Sequence, residues 1–266
     1  LMWEMVFRPL KMESSTFQQP LPPSFRPRAA SGHYPGDEVV EGKWHVKPEM
    51  AAAGLWTTAS DLARFVIEIQ KSRAGRSNRI LSREMTNRML TSEHKLISGG
   101  EGVLVEERGL GVELKTGSTF VRFSHGGRTT GYNCQVIGFD NGRGVAVMTN
   151  GYNQGLVREI VRGVAREYAW PEYLPRERTV VNPGPHLLEA YAGEYEFPEG
   201  RNPRVSVVTV EGGKLHLDGM LLEAESRSSF FGAGEATYTF NRDERGRVKE
   251  MVYDVGPLKL TARKVK

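Results

Sequence analysis

The stretch Phe123-Ser124-His125-Gly126-Gly127-Arg128-Thr129-Thr130-Gly131-Tyr132 sets an imidazole and a guanidinium among three glycines. Histidine is the side chain whose ordinary proton exchange falls near neutral pH. Glycines permit close approach of a backbone and unusual dihedral angles. The stretch reads as the end of a strand running into a glycine-rich turn, an active-site-like sheet edge in which His125 is either a catalytic group or a packing residue. Other chemistries find no pattern. The six histidines (His33, His45, His94, His125, His186 and His216) form no H-E-x-x-H and no short-spaced cluster. The single cysteine, Cys134, cannot build a thiolate site, so no metal is expected. There is no G-x-G-x-x-G after a strand, no Walker loop and no G-x-S-x-G elbow, and no cofactor is expected.

Two short patterns touch the chemistry of serine acylation. Ser92-Glu93-His94-Lys95 satisfies S-x-x-K, and Lys115-Thr116-Gly117 satisfies K-T-G. That chemistry needs the serine at the start of a buried helix with the lysine one turn on, and the third motif on a strand beside them. Ser92 instead follows a helix, in a polar stretch, and Lys115 falls in a hairpin turn, so neither is assigned a role.

The elements that must position the stretch are legible around it. Leu1 to Arg8 suggests the last turns of a helix, stopped by Pro9. Pro20 to Pro27 is an extended crossing segment. Ser31 to Pro48 is a long loop anchored by Tyr34 and Trp44. Leu62, Phe65, Val66 and Ile69 form one buried helix face behind a cap at Thr58 or Ser60. A second helix spans Ser82 to Leu90, with Met85 and Met89 inward. Strands are expected at Gly109–Leu114, Thr119–Phe123, Val136–Phe139 and Gly144–Asn150. A strongly amphipathic helix from about Leu156 to Trp170 would lie across them. Residues 171–186 read as a linker. From Leu187 the chain breaks into short alternating strands with tight turns, which suits a small antiparallel barrel.

Bulk properties narrow the classes. The 266 residues suffice for one large domain or two small ones, and a 39% apolar content with mean hydropathy −0.44 describes a globular chain. The net charge of +4 is spread without a basic stripe, so no nucleic-acid partner is expected, and no apolar run is long enough to span a membrane.

Three segments carry a resemblance. Phe7-Arg8-Pro9-Leu10-Lys11-Met12-Glu13-Ser14-Ser15-Thr16 is similar to a P-L-G-M-x-x-T element, with Lys11 replacing the usual glycine. Ala52-Ala53-Gly54-Leu55-Trp56-Thr57-Thr58-Ala59-Ser60-Asp61-Leu62-Ala63-Arg64-Phe65 is similar to A-G-G-L-x-S-T-A-x-D-L-A-R-F. His125-Gly126-Gly127, followed by Gly131-Tyr132, resembles the H-x-G that replaces K-T-G in one branch. In this order they resemble the serine beta-lactamase / penicillin-binding-protein superfamily, in its class C beta-lactamase-like esterase and peptidase branch.

The resemblance implies a three-layer α/β fold with an antiparallel sheet and helices, incomplete in this chain, followed by a small antiparallel β-barrel similar to the lipocalin-like module of some members. Residues 1–170 would be the C-terminal part of the hydrolase domain, 171–186 the linker and 187–266 the barrel. The implied chemistry is acyl transfer through an acyl-serine, on a small-molecule ester or a peptide or amide bond. The family's S-x-x-K and Y-x-N lie upstream of the first matched segment, and no Y-x-N occurs here. The nucleophile is therefore expected on an N-terminal fragment of the same protein, the expected partner.

By the family pattern the Arg128 backbone N–H would be the second oxyanion donor, and its side chain a positive charge for an acidic substrate or a solvated group. His125 would take the motif lysine's place, binding the substrate carboxylate or orienting the tyrosine. Gly126 and Gly127 would let substrate approach the strand, and Trp44 and Tyr34 would line the cleft. Tyr132 is expected to pack beneath the strand. The rival is a non-catalytic penicillin-binding-like interaction or ligand-binding module. The barrel is expected to be structural or to assemble homo-oligomers. The protein is expected to be soluble, cytoplasmic or exported by a signal on the N-terminal part.

Overall fold

The computed structural model describes residues 1–97, 105–116, 120–170, 172–174, 177–197, 204–232, 236–254 and 259–266. Contacts group the chain into two units, one of Leu1–Lys95 with Glu106–Pro175, the other of Leu96–Val105 with Arg176–Lys266.

In the first unit a π-helical turn, Trp3–Phe7, runs into α1 (Arg8–Leu10). The helix ends with Lys11 in the left-handed conformation, at φ 56° and ψ 40°. The Met12 N–H donates to Phe7 O at 2.8 Å and the Lys11 N–H to Arg8 O at 3.1 Å, the paired bonds of a Schellman cap. This is the position where the resembled element has glycine. A short α2 (Met50–Ala53) precedes α3 (Ala59–Arg73), whose N-cap Thr58 accepts from the Asp61 N–H. Next comes α4 (Arg83–Met89), capped by Ser82.

The sheet follows, with strands β1 (His94–Ile97), β2 (Val105–Arg108), β3 (Glu113–Lys115), β4 (Arg122–Thr129), β5 (Tyr132–Phe139) and β6 (Gly144–Thr149) in sequential order. Neighbours from β2 to β6 pair antiparallel. Helix α5 (Gln154–Glu167) starts at Asn153, whose side chain accepts from the Leu156 N–H.

Alternation along the strands divides the sheet between two cores. Phe123 and Leu114 point to one face and pack with Val66 and Ile69 of α3. Ile137, Phe139 and Val147 point to the other and pack with Val157, Val161 and Ala165 of α5. Each fully buried Val, Leu, Ile or Phe side chain among them contributes about 1.5–3 kcal/mol relative to exposure. The result is helix, sheet, helix, the three-layer arrangement expected. The polar residues inside are tied down. Gln70 of α3 donates to Phe139 O and Arg143 O at 2.9 and 2.6 Å, and Glu68 accepts from Ser77 Oγ and Arg79 N–H.

Two sequence expectations change here. The backbone does not turn at Gly126-Gly127. Strand β4 continues through both and pairs residue by residue with β5, and the turn falls at Thr130-Gly131, where Gly131 has φ +83°. Met85 is not inward but 44% exposed; the buried residue of α4 is Thr86, whose hydroxyl lies 2.7 Å from Ser72 Oγ. The expected turn and strand start over 117–119 lie outside the described residues.

The second unit is a closed eight-stranded barrel. Its strands are β7 (Gly193–Phe197), β8 (Arg204–Glu211), β9 (Lys214–Leu217), β10 (Met220–Ala224), β11 (Ser229–Phe231), β12 (Thr237–Arg242), β13 (Val248–Asp254) and β14 (Lys259–Lys264). Closure pairs the last strand with the first, Arg263 opposite Glu196. Glycines 212 and 213, both at positive φ, make the two-residue β8–β9 turn.

A helix that the strand pattern did not announce opens this unit. It is α6 (Pro185–Tyr191), with proline at its first position and Leu188 and Tyr191 three residues apart on one face. Tyr191 is stacked on Phe240 at 4.5 Å between ring centres and meets Phe230 edge-on at 5.6 Å. Together with Tyr195, Leu215, Leu222 and Met251, these rings fill the barrel with side chains. Among the described residues no helix is long and apolar enough to cross a membrane.

Candidate functional site

The site is built on the exposed side of β4. In an antiparallel ladder, alternate residues direct their N–H and C=O to opposite neighbours. The Asp140 N–H donates to Val121 O at 3.0 Å, and Val121 is in register with Phe123, His125 and Gly127, so these odd-numbered residues bond toward β5. The even-numbered residues bond the other way, and β3 meets β4 only from Arg122 to Ser124. Beyond Ser124, the backbone groups of Gly126 and Arg128 face an edge that no described strand covers.

A cleft of about 800 Å³ lies on that face, walled by β4 and β5, by the start of α3 and by the loops before it. That size suits a small organic ligand. His125 projects into it from β4, exposed and without a side-chain hydrogen bond to any described residue. Gly126 and Gly127 line it too. Leu62, Phe65 and Val66 of α3 line it as well; Leu62 is half-buried, Phe65 is half-buried and packs against the core, and Val66 and Ile69 are buried as expected.

Cross-strand packing explains the glycines on this face. A Cβ on Gly127 would lie 2.5 Å from Cys134 Sγ, and one on Gly138 would lie 2.3 Å from the Phe123 ring. In each pair the larger side chain occupies the space over the glycine. Burial pushes the Cys134 thiol up, with a smaller opposing pull from a hydrogen bond to the Gly127 backbone. It stays a neutral thiol near pH 7 rather than a nucleophile.

The far wall is held by contacts at the sheet's end. A Cβ on Gly131 would approach Gly32 Cα to 2.7 Å, so hairpin tip and loop touch backbone to backbone. His33 Nδ1 lies 2.9 Å from Asn150 O, Asn150 Nδ2 donates to Ser31 O, and the Tyr132 hydroxyl donates to Ala30 O at 2.7 Å. Burial raises the Tyr132 phenol to about 12. Rather than packing beneath the strand, Tyr132 lines the cleft, edge-on to Trp56 at 5.8 Å, and Trp56 is edge-on to Trp44 at 5.4 Å.

The floor is fixed by a buried carboxylate that sequence reasoning treated only as a helix-start charge. Asp61 Oδ2 accepts from the Ser14 N–H at 2.9 Å and from Ser15 Oγ at 2.8 Å, and Asp61 Oδ1 accepts from Arg64 Nη1 at 2.5 Å. Arg64 also donates to Lys11 O. Two of the three segments quoted above are thus tied to each other; their spacing in the chain gave no sign of it.

The remaining candidates fall as follows. Trp44 lines the cleft; Tyr34 does not, standing on a tight turn where its C=O accepts from the Asp37 N–H. The Arg128 side chain is exposed over the Tyr152 ring at 5.2 Å and does not line the cleft. Ser92 leads into a strand, since the Glu93 N–H donates to Arg108 O, so no helix presents it to Lys95. Lys115 is ion-paired to Glu172 at 2.5 Å. Among the described residues no group of three or more His, Cys, Asp or Glu side chains could hold a metal ion.

Residues 1–169 match the family model described as Beta-lactamase. The chain belongs to the beta-lactamase family. The family match covers every element of the cleft and stops before the barrel. No curated protein sequence matches the chain. Among solved structures it is similar to the octameric penicillin-binding protein homologue from Pyrococcus abyssi, at 18% identity and a TM-score of 0.53, over 97% of this chain and 58% of that one. It is also similar to a structure titled SurE, at 19% identity and a TM-score of 0.49, over 99% of this chain and 62% of that one. The chain thus spans about three fifths of the length of these structures, and at such identity the first likeness speaks for the fold alone.

Proposed function

We propose that this beta-lactamase-family chain forms one wall of the acyl-transfer cleft of a serine hydrolase acting on an ester or a peptide or amide bond. The observation that carries the reading is the uncovered edge of β4 at Gly126 and Arg128, next to His125, Gly126 and Gly127, which line a cleft of ligand size. A serine oxygen attacks the substrate carbonyl, the alcohol or amine leaves with a proton, and water releases the acid from the acyl-serine. The Arg128 N–H donates to the oxyanion while charge builds on it, which is where such a donor lowers the barrier most. His125 binds or orients the substrate from the same strand, and Trp44 packs against it.

The serine comes from an N-terminal part of the same protein. Two observations support this: Ser92, the serine of the S-x-x-K match, leads into a strand and not a helix, and the chain covers 58% of the Pyrococcus abyssi homologue. In this reading residues 1–170 belong to the hydrolase domain, 171–186 link it to the barrel, and the filled barrel of 187–266 serves assembly. The Pyrococcus abyssi homologue is named as octameric, and a homo-oligomer is part of this proposal.

A fluorophosphonate probe followed by intact-mass analysis tests the mechanism. Labelling of the full-length protein on an upstream serine, with this chain unlabelled at Ser92, is expected. An adduct on Ser92 overturns the division of labour. No adduct on the full-length protein favours the rival, a non-catalytic binding module.

A further inference from the structure

A second pocket, of about 380 Å³, lies wholly within the barrel unit. It stands beside the closed ring, in which every strand has both its neighbours. One side is the chain entering and forming α6, with Pro183, Pro185, His186 and Leu187. The other side is two arginines, Arg227 from the β10–β11 turn and Arg242 from the end of β12. No aspartate or glutamate lines it. Elsewhere on the barrel, cations sit against carboxylates, as in Lys214–Glu223, Lys259–Asp254 and Arg263–Glu196.

Both arginines are anchored through one buried ring. The Arg242 guanidinium lies over Tyr191 at 5.3 Å, and the Tyr191 hydroxyl donates to the Arg227 C=O at 3.0 Å. Arg242 Nη1 donates to Gly246 O at 2.6 Å. A guanidinium has five N–H donors, so most remain for a ligand. The neighbouring Asp243 is already occupied: it accepts from the Arg245 and Arg247 N–H groups and from Arg247 Nε. A third cation adds to the field. Lys264 Nζ donates to Ala190 O and Ala192 O, and burial and the Arg242 charge together hold it below the usual lysine range. Like charges gathered beside apolar walls, with no carboxylate between them, favour an anion more strongly than the same charges in open water. The planar fork of arginine matches two oxygens of a phosphate at once.

We propose that Arg227 and Arg242 form a binding site for a phosphate group, taken either as inorganic phosphate or as a small phosphomonoester whose organic part rests on Pro183, Pro185 and Leu187. The site belongs to the barrel unit alone and is independent of acyl transfer at the cleft beside β4.

Calorimetric titration of the purified protein with inorganic phosphate and with phenyl phosphate, in a buffer free of other oxyanions, tests it. Saturable binding with a Kd of about 0.1–1 mM is expected. Arg227→Gln changes a side chain that anchors nothing in the barrel, so the variant should fold, and it should weaken binding about fivefold, as for one exposed charge contact. Arg227→Gln/Arg242→Gln should weaken it more than about twentyfold. Lys71→Gln/Arg76→Gln removes the same charge from exposed positions in the other unit and should leave the affinity within about twofold. Tighter binding of phenyl phosphate supports the site and assigns it to a phosphomonoester; equal affinities support it and assign it to the phosphate group alone. Absence of saturable binding by either compound, an affinity unchanged in Arg227→Gln, or an equal loss in the Lys71/Arg76 variant overturns the proposal. A missing fluorophosphonate adduct with phosphate binding intact would sink the hydrolase reading and leave this one standing.

Discussion

At Gly127 and Cys134 a motif glycine has a measurable packing reason. With 2.5 Å between a would-be Cβ and Cys134 Sγ, an alanine here must displace the thiol or the strand. Gly127→Ala should therefore cost about 1–3 kcal/mol, the usual range for overpacking. Cys134→Ala removes the obstructing sulfur, so the double variant should recover most of that loss. Urea denaturation of the four proteins gives the coupling energy; purely additive losses would show that Gly127 is needed for something other than room. The glycine was legible in the sequence as a place of close approach. The sulfur that demands it was not, because Cys134 lies seven residues on and reaches Gly127 only through the β4–β5 register.

Elements show where a local pattern suffices and where it does not. Helices α3 and α5 and the β5–β6 hairpin were readable because their periodicity and caps are local. Strand β4 was misread as turning at Gly126-Gly127 because glycine content signals a turn, whereas eight consecutive cross-strand pairs hold it extended. Helix α6 was missed because seven residues give too few periods to set against the strands around them. Lys11 is the reverse case, an oddity visible in the sequence and explained by the cap of α1. A non-glycine residue in the left-handed region carries a penalty of about 1–2 kcal/mol. Part of the gain from replacing it is offset by glycine's extra freedom in the unfolded chain. Lys11→Gly should thus stabilise the protein by about 1 kcal/mol, read as a higher urea midpoint at unchanged slope. A lower midpoint would mean that the lysine side chain contributes more than its backbone strain removes.

For the whole molecule, the buried phenols set an alkaline limit. Burial raises Tyr132 and Tyr238 to about 12 and also raises Tyr195, whose hydroxyl donates to Tyr191 O at 2.8 Å. A phenol whose folded value exceeds its unfolded value of about 10 favours folding while it stays protonated. That stability is complete below pH 10 and is lost as pH rises from 10 toward 12. The melting temperature should fall over this window, and tyrosinate absorbance at these rings should appear together with unfolding. Their titration in the still-folded protein near pH 10 would contradict the buried placement. The barrel was legible from its turn spacing, and the α/β unit from the three segments that carry the resemblance. That Arg28 and Lys47 line the cleft was not, because they sit in a proline-rich stretch and a loop that have no period to read.

Barrel closure joins the two ends of the strand run. The Glu194 N–H donates to Lys266 O, and the Val265 N–H donates back to Glu194 O. Entry to the first strand and exit from the last are neighbours, so a short peptide can bridge them. Opening the chain at the exposed Gly212-Gly213 turn instead would give a circular permutant in which every ladder keeps its partner. The order of the strands along the chain is then a matter of descent, and the closed ring of hydrogen bonds is what physics requires.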